Sequence, residues 1–361
     1  MGTEPERGGA AGVFKDRGPF IERDRDGLES RLELMEGVIT PTSHFFVRNN
    51  APSPALDASG WRLTVEGDAV ASPLELSYEQ IRRLPQRTLV CYLECAGNQR
   101  SMFERLKGRS ANGTQWGTGA VSNGIWLGAS LAGVLELAGI TPEARSVLLI
   151  GLDREAPEGG FRRVLSPEKA MHPDTLLAYS LNGEALPPDH GYPLRALVPG
   201  WAGATSIKWL GRIVVTSERL WTRNNTTSYV LIGDDYPTEG EARGRVVTTQ
   251  TIKSALGLPW PAELSPGRQL LHGFAHSPHA PIARVEWSAD GGASWQLARL
   301  AGPQLQYSWA RFEFDWEARP GEHTLTTRAT DGAGNTQPDE VPFNEEGYLF
   351  HQVLPHPVRV H

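Results

Sequence analysis

Residues Thr88 to Arg100 read TLVCYLECAGNQR. From Thr88 to Cys95 the run is almost wholly apolar, as a strand buried on both faces requires, and it then breaks into Ala-Gly97-Asn98-Gln-Arg100. Gly97 permits a tight turn there. Cys95 thus leaves a buried strand where backbone amides come free and a guanidinium follows, surroundings that favour a thiolate for nucleophilic attack or for ligating a soft metal. The plain alternative is a buried structural cysteine, the usual fate of a free thiol and the expected one for Cys91. These two are the only cysteines in the chain. Four residues along a strand separate them by about 13 Å, too far for a disulfide. With no imidazole close in sequence they cannot form a four-ligand zinc site either.

Upstream, Trp61-Arg-Leu-Thr-Val-Glu66 alternates as a strand does, and Ser77-Tyr-Glu-Gln80 is a capping-box start for a helix that Pro85 stops. Downstream, the pattern predicts a helix over Gly128–Ala138 ended by Gly139, then a buried strand over Ser146–Asp153. Leu181-Asn-Gly-Glu184 marks a hairpin, followed by strands at Leu194–Val198 and Ile207–Val215. Helices and strands mix here without regular alternation, so residues 38–245 read as one α+β domain. From 246 to 361 strands recur at short spacing with Gly, Pro and Asp turns, and no helical period appears. Ala310-Arg-Phe-Glu-Phe-Asp-Trp316 places Ala310, Phe312, Phe314 and Trp316 on one face, and Asp290-Gly-Gly292 turns a hairpin, so an all-β immunoglobulin-like sandwich is expected. Residues 1–37 are polar and read as a loose arm or one short amphipathic helix.

The length of 361 residues suits two or three domains. Gly (39) and Pro (27) make up about 18% of the chain against a usual ~12%, which favours turns and short strands over long helices. The net charge of −7, with both signs interspersed and no basic run, argues against a nucleic-acid partner. No apolar stretch is long enough to span a bilayer. The first forty residues lack the apolar core of a secretory signal, so the chain as written is expected in the cytoplasm, or in the periplasm if a signal was removed.

Other motifs carry less. His272-x3-His276-x2-His279 has metal-binding residue types but lies in strand and turn pattern. Gly128-Ala-Ser130 approximates a nucleophile elbow, yet it falls inside the predicted helix. No P-loop and no Gly-x-Gly-x-x-Gly after a strand supports a nucleotide cofactor.

Cys95-x-Gly97-Asn98-x-Arg100 resembles the molybdenum-ligand motif of the sulfite oxidase family of molybdopterin enzymes. Phe45-Phe-Val-Arg48-Asn49-Asn50 resembles that family's cofactor segment, and Gly151-Leu-Asp153 its cofactor-contacting Asp. Most specific is Asp189-His190-Gly-Tyr-Pro-Leu-Arg195-Ala-Leu-Val-Pro-Gly200-Trp-Ala-Gly203, followed by Ser206-Ile207-Lys208-Trp209. Val285–Trp295, Asn335–Pro338 and Asn344-x-x-Gly-Tyr348 resemble the family's immunoglobulin-like dimerisation domain. Together these cover about residues 38–361.

The resemblance implies a molybdopterin-binding catalytic domain in which Cys95 ligates molybdenum beside the two sulfurs of the pterin dithiolene. It implies that Phe46, Val47, Arg48, Asn50, Asp153, His190, Arg195, Ser206, Ile207 and Lys208 hold the cofactor. Out of that context, Arg195 or Lys208 would read as a surface charge at a strand end. Arg48, Arg100, Trp116 and a tyrosine would form the substrate pocket; Tyr236 in Gly233-Asp-Asp-Tyr236 is the first choice and Tyr229 its competitor. The implied reaction is oxidation of sulfite to sulfate, with two electrons passed to a separate acceptor such as a cytochrome or oxygen, and the implied assembly is a homodimer. The chain has no Cys-x-x-Cys-His haem attachment. Three departures stand out: Asn50 replaces the family's His, Thr205 an Arg, and Gln306 falls near where animal enzymes place a further pocket Arg. A less positive pocket keeps open the reduction of nitrate or a sulfoxide at the same centre. A reading of another class is a protein without redox chemistry, either a degenerate cofactor carrier or a pure interaction module.

Overall fold

The computed structural model describes residues 13–24 and 27–361. The catalytic half is built on two sheets. One runs Glu184–Ala185, Leu176–Leu181, Val121–Ser130 and Gln86–Glu94, with Arg195–Leu197 also paired to Leu176–Leu181. The other runs Leu74–Ser77, Arg62–Glu66, Leu210–Thr216, Ser146–Gly151 and Arg162–Leu165, in which only Leu210–Thr216 and Arg62–Glu66 are parallel. Leu63, Val65, Leu149, Leu177, Ala196 and Ile213 fill the core between them, each fully buried. The α+β texture predicted from the sequence is present. Around the cysteines, Gln86–Glu94 pairs along its whole length with Val121–Ser130, and Cys95 lies just beyond its end.

The capping box at Ser77 forms as expected: Ser77 Oγ accepts from Gln80 N and Gln80 Oε1 accepts from Ser77 N. Asn182 and Gly183 both take positive φ, 54° and 86°, as a two-residue hairpin needs. The predicted helix over Gly128–Ala138 begins late. Strand pairing continues through Gly128, where a Cβ would stand 2.4 Å from Leu177 O, and the helix spans Leu131–Leu137. Ser130 therefore sits at a strand-to-helix junction, contrary to its expected place inside a helix. Its hydroxyl accepts from Gly133 N at 3.4 Å and so caps the helix.

The polar arm expected over 1–37 is, in its described part, a packed element. Phe20–Arg23 and Gly27–Ser30 form a hairpin, and Val13, Phe20 and Leu28 cluster with Val47. No amphipathic helix is seen among its described residues beyond the single 3₁₀ turn Leu32–Leu34. Charge there misleads because it is consumed internally. Glu29, only 2% exposed, accepts from Gly117 N at 2.9 Å, Gly119 N at 3.0 Å and Arg23 Nε at 2.6 Å.

The C-terminal half is a sandwich of a four-stranded and a five-stranded sheet. Ala310–Ala318 alternates buried and open positions as predicted, with Phe312 and Phe314 turned into a core shared with Trp287, Leu325 and Val358. No helix among the described residues is long and apolar enough to cross a membrane.

Candidate active site

Two cavities meet at Cys95. One is a cleft of about 720 Å³, open to solvent, lined by Phe45, Phe46, Arg48, Asp153, His190, Arg195 and Lys208, among others. The other, about 570 Å³ and also open to solvent, is walled by Arg48, Arg100, Arg223, Trp116, Tyr229 and Tyr348, among others.

The turn after Cys95 is fixed by Asn98. Its Nδ2 donates to Glu94 Oε1 at 2.9 Å and its Oδ1 accepts from Ala120 N at 3.0 Å, so this amide shapes the loop and leaves ligands to its neighbours. Gly97 does not take the positive φ that a tight turn suggests; Gln99 does, at 68°. Gly97 is needed for space, because a Cβ there would stand 2.5 Å from Arg100 Nη2. Arg100 is seated by Nε donating to Glu346 O and Nη1 to Thr114 O, both at 2.8 Å, with its guanidinium 5.1 Å from the Tyr348 ring centre.

In the cleft, cations outnumber carboxylates. Arg195 is buried, donates to His190 O at 3.1 Å and Ser206 O at 2.9 Å, and lies 5.0 Å from the Trp126 ring centre. Lys208 donates to Asp189 O at 2.8 Å and to Asn49 Oδ1. Burial, with Arg195 close by, pulls its ammonium down to about 7. Burial and the flanking Lys15, Lys208 and Arg195 hold His190 well below the usual imidazole range, so it is neutral. Asp153 accepts from Phe161 N at 2.9 Å, and burial pushes its carboxyl above the usual range.

Among the residues that line these cavities, His190 Nε2, Arg48 Nη1, Trp116 Nε1 and Thr114 Oγ1 are buried without a hydrogen-bond partner. A buried donor left unpaired in this way is costly, and a bound ligand is one of the ordinary reasons for it. One open thiol, a buried neutral imidazole, a buried guanidinium, a half-buried lysine and one carboxylate around one cleft fit a molybdopterin: a soft metal, an anionic phosphate and a polar heterocycle.

The structure gathers most of the sequence-predicted residues. Phe46, Asp153, His190, Arg195, Ser206, Ile207 and Lys208 line the cleft, Arg100 and Trp116 line the pocket, and Arg48, Asn50 and Cys95 line both. Ser206 does so through its backbone, since its Oγ accepts from Val198 N at 3.0 Å. Val47 is turned away, its N–H and C=O both bonded to Leu28. Tyr236 lines neither cavity; the Gly233–Tyr236 turn sends its hydroxyl to Pro342 O at 3.4 Å. Tyr229, at φ 54°, lines both cavities and is stacked on Tyr348 at 5.4 Å. Gln306 is outside too, 3.5 Å from Pro278 O. Arg223, Glu346 and Tyr348 line the pocket without having been picked out as site residues; only the Asn344-x-x-Gly-Tyr348 spacing hinted at the last.

Fold and site together define a molybdopterin-binding oxidoreductase with a second, β-sandwich domain. Residues 50–223 match the oxidoreductase molybdopterin binding domain family, and residues 248–356 the Mo-co oxidoreductase dimerisation domain. Sulfite oxidase of Gallus gallus is 37% identical over 85% of this chain and 70% of its own length. Sulfite oxidase of Arabidopsis thaliana is 32% identical over 90% of each. Of mitochondrial vertebrate relatives at 34% identity, the chain spans 59% of the length. The crystal structure of the sulfane dehydrogenase SoxCD from Paracoccus pantotrophus superposes with a TM-score of 0.82 at 27% identity, covering 94% of this chain and 90% of that one. The chain belongs to the sulfite oxidase family of molybdopterin oxidoreductases.

Proposed function

We propose that this protein oxidises sulfite to sulfate on a molybdenum–pterin cofactor and passes two electrons to a separate acceptor, a cytochrome or oxygen. The observation that carries this reading is the wall common to both cavities. Arg48, Asn50, Cys95 and Tyr229 face the cleft on one side and the arginine pocket on the other. Cofactor and anion would therefore meet at the Cys95 sulfur.

When bound, the cofactor supplies a two-electron redox centre able to transfer an oxygen atom that ultimately comes from water. Cys95 would give its thiolate to the metal. Arg195, Lys208 and the unpartnered His190 Nε2 would hold the phosphate and the polar pterin edge, and Asp153 would accept from pterin N–H groups. Arg48 and Arg100 present guanidinium forks to the substrate; these bind an oxyanion more directionally than an ammonium does. Their local charge also draws a small anion against the overall charge of −7. Trp116, fully buried, closes one wall of the pocket against water. The β-sandwich would pair two copies of the chain, so sedimentation at micromolar concentration should find species heavier than 39.5 kDa.

The test is turnover by molybdenum-loaded protein, with sulfite and an artificial one-electron acceptor such as ferricyanide. Sulfite-dependent reduction supports the reading. Silence at full metal loading, with nitrate or a sulfoxide consumed from a reduced dye, would reverse the direction of the reaction.

A further inference from the structure

A pocket built only to bind an oxyanion has no use for a carboxylate, yet this one has Glu346 in its wall. Arg48, Arg100 and Arg223 come from the catalytic domain, and Glu346 and Tyr348 from the C-terminal segment that folds back over it. Glu346 is half-buried and its backbone is held firmly: its carbonyl accepts from Arg100 Nε at 2.8 Å. The next residue, Gly347, lies so close that a Cβ would stand 2.6 Å from Arg100 Cγ and 2.7 Å from Ala111 Cβ. The side chain has one weak partner, Asn112 Nδ2, at 3.4 Å from Oε1. Among the described residues no ion pair joins this carboxylate to Arg48, Arg100 or Arg223.

An acid in the wall of a pocket that also carries three arginines, and ion-paired with none of them, leaves its charge to act on whatever enters. Coulomb energy scales with the ligand's charge, so the carboxylate opposes a dianion twice as strongly as a monoanion. We infer that Glu346 is a specificity-determining residue that biases the pocket towards singly charged oxyanions of sulfur, hydrogensulfite over sulfite. This rests on the oxidase reading for its substrate class. The charge argument stands on the pocket alone.

Sulfate and perchlorate make the test, being tetrahedral and similar in size while differing by one charge. Their binding to oxidised, cofactor-loaded protein can be titrated calorimetrically at low ionic strength, without turnover. Glu346→Gln should tighten perchlorate about threefold and sulfate about tenfold, the second factor being roughly the square of the first. Glu345→Gln removes the same charge from an exposed neighbour that does not line the pocket, and it should change both affinities much less. Equal effects on the two anions, or equal effects of the two substitutions, would overturn the inference. Because no sulfite is turned over, a failed oxidase reading leaves this result intact. If sulfite is the substrate, Glu346→Gln should also lower its KM with kcat little changed.

Discussion

The carboxylate of Glu94 stands 2.6 Å from the ammonium of Lys253, with no more than 1% of either side chain exposed. Glu94 immediately precedes Cys95, and Lys253 opens the first strand of the β-sandwich. The second domain thus grips the backbone that carries the candidate metal ligand. Asn98 shares Glu94 Oε1, Gln250 donates to Glu94 O at 2.9 Å, and His276 Nε2 lies 3.8 Å from Oε2.

A buried pair of this kind is costly to break and cheap to replace. Lys253→Met alone should destabilise the protein by about 3–5 kcal/mol, since it strands a buried carboxylate. Adding Glu94→Gln should recover much of that loss. Thermal unfolding of both variants checks this, and equal losses in the single and double variants would count against it.

Arg48→Lys keeps the charge but removes the fork, so KM for sulfite should rise by about tenfold. Steady-state kinetics give the answer directly, and an unchanged KM would remove Arg48 from the pocket.

Tyr229 faces both cavities and Tyr236 neither. Tyr229→Phe should therefore lower kcat/KM for sulfite by roughly tenfold or more, as loss of a positioned donor does, while Tyr236→Phe should leave it nearly unchanged. The reverse ranking would restore the choice suggested by the sequence.

Much of this architecture was legible in the sequence because it rests on local rules. The strict alternation of Ala310–Trp316, the Asn182-Gly183 turn and the Ser77 capping box each formed where periodicity or turn chemistry placed it. What was hidden is set by tertiary contact. Gly128 stays in a strand because its missing Cβ lets Leu177 approach, and Glu29 is buried because distant glycine amides satisfy it. Where the two tyrosines fall was hidden for the same reason. Flanking matches cannot report that a left-handed turn at Tyr229 swings its ring into the cavity wall while the Gly233 turn takes Tyr236 away.

Lys208 gives a pH signature in cofactor-free protein. Its folded value of about 7 lies below the ordinary 10.5, so the unfolded chain holds the proton more tightly between those limits. Stability should therefore rise with pH from 7 to about 10.5 through this group. Relative to Lys208→Met, the wild type should gain melting temperature between pH 7 and pH 10. A constant difference across that range would mean the ammonium is not desolvated as described.

The central claim is that chemistry occurs at the Cys95 sulfur, between the cleft and the arginine pocket. The most direct measurement compares wild type and Cys95→Ala, matched for bound pterin, in sulfite-dependent reduction of ferricyanide. Turnover by the wild type and its loss in the variant, with pterin still held by Arg195, His190 and Lys208, is the predicted result. Turnover that survives in Cys95→Ala would contradict the account.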